Sequence, residues 1–86
     1  MPKISEFFGI AIYVYYREHQ PPHLHAMYGG KELLLSIDTL SVMAGSLPPR
    51  AMGLVIEWAV QHQKELKQVW EQAMRHEPLS RIDPLK

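Results

Sequence analysis

The chain of 86 residues has no cysteine. That excludes disulfides, thiolate metal sites and cysteine nucleophiles. It also points to the cytoplasm, because a small secreted domain usually needs such staples. Net charge is missing too: nine Lys and Arg balance nine Asp and Glu. No global basic excess marks the chain as a nucleic-acid or anionic-membrane binder. A small domain without net charge tends to associate near neutral pH, so a homodimer or a partner chain is expected. No run approaches the roughly 18–20 apolar residues that span a bilayer. The opening Met1-Pro2-Lys3-Ile4-Ser5-Glu6 lacks the basic-then-apolar design of a signal peptide. Internal repeats, a P-loop, a Rossmann fingerprint and a serine nucleophile elbow are all absent from the sequence.

What is present fits one globular domain. Hydrophobic residues make up 47% of the chain, which argues against disorder. A chain this short buries only about 60% of its unfolded surface, so its stability margin is thin. The chemistry is concentrated in Arg17-Glu18-His19-Gln20-Pro21-Pro22-His23-Leu24-His25-Ala26, which holds three of the five histidines and two of the seven prolines.

Residues 1–8 read as a lead-in, with Phe7 and Phe8 as anchors on the core. Residues 9–16 (Gly-Ile-Ala-Ile-Tyr-Val-Tyr-Tyr) are β-branched and aromatic and predict a strand. Period two places Ile10, Ile12 and Val14 on one face and Ala11, Tyr13, Tyr15 and Arg17 on the other. Pro21-Pro22 cannot lie inside a paired strand, so residues 18–22 are a connection. Strands over 23–28 and 31–38 flank Gly29-Gly30, a two-residue hairpin signal. Pairing Tyr28 with Lys31 sets Ala26 opposite Leu33 and Leu24 opposite Leu35 on an apolar face. The other face then carries His23, His25, Ser36 and Asp38, with Met27 opposite Glu32 and His25 opposite Leu34.

A short fourth strand is expected at 41–43. Pro48-Pro49 opens a helix, since proline suits a first turn. The stripe of Ala51, Leu54, Val55, Trp58, Ala59, Leu66, Val69, Trp70, Ala73 and Met74 has helical spacing, with both tryptophans in the core. A helix over residues 48–76 would be a rod of about 40 Å. Such a rod overhangs a small sheet and calls for cover from a second copy; a break at residues 61–63 would instead give two helices. Residues 77–86 read as a tail. The predicted fold is α+β: a three- to four-stranded antiparallel sheet packed on one face by a long C-terminal helix, or by two.

Two imidazoles at His23 and His25 lie on one strand face about 6.5–7 Å apart. They can meet at one divalent transition-metal ion (Zn, Ni or Fe), with His19 as a third ligand. No carboxylate at a diagnostic spacing completes a known metal signature. Another reading is metal-free RNA cleavage. There His23 and His25 would act as base and acid, Arg17 would stabilise the phosphorane, and Tyr13, Tyr15 or Tyr28 would stack on bases.

Three segments resemble the DUF4160 family of small bacterial proteins. They are Met1-Pro2-Lys3-Ile4-Ser5-Glu6-Phe7-Phe8-Gly9-Ile10, then Glu18 to Ala26, then Leu47-Pro48-Pro49-Arg50-Ala51 through Glu57-Trp58-Ala59. His19, Pro21, Pro22, His23 and His25 match the family's signature. Glu18 stands where the family shows Asp or Asn. The resemblance implies a bacterial cytoplasmic protein of the toxin–antitoxin type, encoded beside a small partner protein, and it brings no catalytic role. Two functions are therefore expected in competition: a toxin–antitoxin-type protein acting on RNA through the histidine face, or a non-enzymatic interaction or regulatory module that binds a metal ion or a partner protein there.

Overall fold

The computed structural model describes residues 2–86. Five antiparallel strands form a meander in sheet order β1-β2-β3-β4-β5, followed by two helices. The strands are β1 (Lys3–Phe7), β2 (Ile10–Tyr13), β3 (His23–Tyr28), β4 (Lys31–Ser36) and β5 (Val42–Gly45). The helices are α1 (Pro49–Gln61) and α2 (Gln63–Met74). The α+β class is as predicted, with five strands in place of three to four. Among the described residues no helix is long and apolar enough to cross a membrane.

The β3–β4 hairpin pairs as Gly29-Gly30 dictates: Tyr28 with Lys31, Ala26 with Leu33, Leu24 with Leu35 and His23 with Ser36. Both glycines have positive φ, which a primed turn requires. Leu24, Ala26, Leu33 and Leu35 are fully buried with Ile10, Ile12 and Val14. The helices cover this face through Ala51, Val55, Trp58, Ala59, Leu66, Val69 and Trp70.

The first strand is shorter than expected. Residues 10–13 pair, but the predicted lead-in is itself β1, joined to β2 by a turn at Phe8-Gly9. Phe8 takes φ 50 there, a conformation that bulky residues rarely adopt, so the residue types gave no turn signal. Met1 lies outside the described residues. The strand expected at 41–43 is β5 and runs Val42–Gly45, and the one expected over 31–38 is β4 and ends at Ser36.

The long helix is broken at His62, which takes φ −122 and ψ 23. Neither Gly nor Pro causes the break. The Gln63 side-chain Nε2 donates to the Ile37 carbonyl at 2.7 Å and the Asp38 carbonyl at 2.9 Å, and so anchors the start of α2 to the end of β4. Two helices of 13 and 12 residues, each about 20 Å long, fit within a molecule of 33 × 25 × 22 Å. The overhang that called for a second copy is gone. Residues 77–86 are no loose tail either. Ile82 and Leu85 are buried, the Ile82 amide donates to the Ile4 carbonyl at 2.9 Å, and Trp58 Nε1 donates to the Asp83 carbonyl at 2.7 Å.

Candidate metal centre

The helices pack on the first sheet face, and of the second they reach the edge at His23, through Trp70 of α2. One row crosses all five strands on the second face: Lys3, Tyr13, His25, Leu34 and Ala44. His23 lies two residues before His25 on β3, so both rings project from this face. They are nevertheless buried. The rings lie 5.2 Å apart, His23 packs against Trp70 at 5.2 Å, and the Tyr15 ring meets His25 edge-on at 4.5 Å. Tyr15 stacks in turn on Tyr13, with centroids 5.8 Å apart and planes 3° from parallel.

Hydrogen bonds fix the orientation of each imidazole. His23 Nδ1 lies 2.9 Å from the Pro21 carbonyl oxygen. A carbonyl only accepts, so Nδ1 carries the proton, and in the neutral ring Nε2 carries the lone pair. His25 Nδ1 lies 2.9 Å from Glu32 Oε2. Its Nε2 lies 2.6 Å from Glu18 Oε1, and His23 Nε2 is 3.7 Å from that same oxygen. Two ring nitrogens and one carboxylate oxygen therefore converge, all within 4.8 Å of one another.

The arrangement is one that could hold a metal ion. Metal-binding histidines usually donate their other N–H to a carboxylate or a backbone carbonyl, and here His25 uses Glu32 and His23 uses Pro21. Tetrahedral ligands about 2.1 Å from an ion sit about 3.4 Å apart. For an ion to bind, the 2.6 Å contact between Glu18 and His25 would have to lengthen, a movement open to Glu18, whose side chain is half-buried at 24% exposure. A metal ion at His25 Nε2 would take the place of its hydrogen bond to Glu18.

The local chain explains why Glu18 arrives. Arg17 takes φ 62, which turns the backbone so that Glu18 folds back over β3. The Tyr16 hydroxyl donates to the Glu77 carbonyl at 2.9 Å and its ring stacks on His76 at 6.1 Å, tying this loop to the end of α2. Burial pushes the Tyr15 phenol above its ordinary range, and Glu32, Tyr13 and Glu18 add to the effect. Tyr15 therefore stands beside the site as a phenol, not a phenolate.

Of the residues singled out in the sequence, His23, His25, Tyr13 and Tyr15 come together. His19 and Arg17 are exposed, and among the described residues neither makes a hydrogen bond, ring contact or ion pair. Tyr28 stands at the far end of β3 from His23. The sequence reading missed Glu18 and Glu32. Glu32 was within reach of the register argument, since it shares a face with Leu34, the partner of His25; a long side chain spans that diagonal. Glu18 comes from a connection, where periodicity is silent.

No curated protein and no solved structure matches the chain. A family model described as "Domain of unknown function (DUF4160)" matches residues 9–71, which take in the histidine block, the whole of β2 to α1 and most of α2. With most of its length matched in this way, the chain belongs to the DUF4160 family.

Proposed function

We propose that this protein is a metal-binding module whose Glu18, His23 and His25 hold one divalent transition-metal ion (Zn, Ni or Fe). The observation that carries the reading is the direction of the two imidazoles. Each has its Nδ1 occupied by an outer partner, and each turns its Nε2 toward the Glu18 carboxylate. Two histidines and one carboxylate suit borderline ions such as Zn²⁺ and Fe²⁺ and leave coordination positions open. This supports the interaction or regulatory module over metal-free RNA cleavage. Arg17 is exposed and, among the described residues, makes no hydrogen bond or ion pair with either histidine, and two carboxylates surround His25 where a phosphate would need cations.

Equilibrium dialysis against Zn²⁺, Ni²⁺ and Fe²⁺ tests it. The wild-type chain retains close to one ion, and His23→Ala/His25→Ala retains none. Retention of no ion by the folded wild-type chain would refute the proposal, as would equal retention by the variant.

A further inference from the structure

At the opposite end of β3 from His23, a cavity of about 110 Å³ opens between the β1–β2 turn and the start of α1. Its buried side is apolar: Ile10 and Ala51, with half-buried Leu54 beside them. Phe8 and Tyr28 stand over it as two exposed aromatic residues, and exposed Arg50 borders it. A cavity of about 150 Å³ admits benzene, so this one, smaller and open to solvent on one side, takes a branched aliphatic group whole or a phenyl ring that stays partly in solvent.

Two features here are unexplained by the needs of the fold. Phe8 sits in the left-handed region at φ 50 with its side chain 60% exposed. The turn strains the backbone at a bulky residue and gains no burial in return. Strain of this kind collects at binding sites, where the side chain's position matters more than its cost. The second feature is charge. Among the described residues the ion pairs of Lys and Arg engage Lys3, Lys67 and Arg75, and Arg50, like Arg17, Lys31 and Lys64, has none. A cation without a counter-ion thus sits at the edge of an apolar hollow flanked by two aromatic residues.

We infer that this cavity is a second ligand site, specific for a small monocarboxylate with an apolar body of isobutyl to phenyl size. The apolar group lies between Phe8 and Tyr28 over Ile10 and Leu54. Its carboxylate pairs with Arg50, whose planar fork matches two carboxylate oxygens. The site shares no residue with Glu18, His23 and His25, so it stands or falls apart from the metal.

Phenylacetate is the probe, titrated into the ¹⁵N-labelled chain with amide shifts recorded, and phenylacetamide is its uncharged control. Saturable shifts are expected at Phe8, Gly9, Tyr28 and Ala51, with a dissociation constant on the order of millimolar for a ligand this small. Arg50→Gln, an exposed change that leaves the core intact, weakens phenylacetate about ten-fold or more, as loss of a charge-assisted pair does. Phenylacetamide binds the wild-type chain weakly, as phenylacetate binds the variant. Absence of saturable shifts up to about ten times that constant would overturn the inference. Equal binding of the two probes, or no change in Arg50→Gln, would overturn the carboxylate assignment that defines it.

Discussion

Trp58→Phe is the substitution whose cost can be worked out most fully. Trp58 is fully buried in α1, and its Nε1 donates to the Asp83 carbonyl at 2.7 Å. Phenylalanine keeps the ring contact with Phe7, whose centroid is 5.2 Å away, but leaves about 40 Å³ unfilled. At about 24 cal/mol per Å³ that costs about 1 kcal/mol. The lost hydrogen bond adds about 1 kcal/mol. Asp83 is exposed, so its carbonyl regains water and no orphan penalty follows. The sum is about 2 kcal/mol, which lowers Tm by about 8–16 °C in a domain of this size. Urea unfolding supplies the free energy, and limited proteolysis supplies the location, because the lost bond is the one that holds residues 82–85 to α1. The expected result is a destabilised chain whose C-terminal segment is clipped first. A change below about 0.5 kcal/mol, or unchanged protection of that segment, would refute the claim that residues 77–86 belong to the fold.

Other substitutions give sharp signs. Ser5 Oγ is buried and has no hydrogen-bond partner among the described residues, so Ser5→Ala is neutral or stabilising by up to about 1 kcal/mol in urea unfolding. Phe8→Asn places a residue suited to positive φ before Gly9, and it raises stability by about 1 kcal/mol while removing a wall of the carboxylate cavity. Gly45 has φ 75, and a Cβ there would collide with the Glu32 carbonyl oxygen, which also accepts from the Ser46 amide at 3.1 Å. Gly45→Ala therefore costs about 2 kcal/mol or more and loosens β5, seen as faster amide exchange along β4 and β5.

Legibility in the sequence followed the physics that each part depends on. The β3–β4 register was readable because Gly29-Gly30 fixes the turn and period two then assigns every face. The tryptophan stripe was readable because helical spacing survives the break at His62. The break itself was open, since Gln63 makes it by reaching the carbonyls of Ile37 and Asp38, a tertiary contact without a local signal. The β1–β2 turn was hidden because phenylalanine holds a position that usually falls to Asn or Gly. The C-terminal segment was hidden because Ile82 and Leu85 bury themselves singly, without a periodic pattern. In the site, the histidine pair was explicit. The carboxylate was sought along the chain, whereas Glu18 reaches it by a turn at Arg17 and Glu32 by a diagonal across two strands.

The most direct measurement is anomalous diffraction at the zinc edge from crystals grown with Zn²⁺. The account predicts one strong peak bonded to Nε2 of His23, Nε2 of His25 and a carboxylate oxygen of Glu18, with Nδ1 of His25 still on Glu32. A peak at the His62–Glu65 pair alone, or no peak between the two β3 histidines, would contradict it.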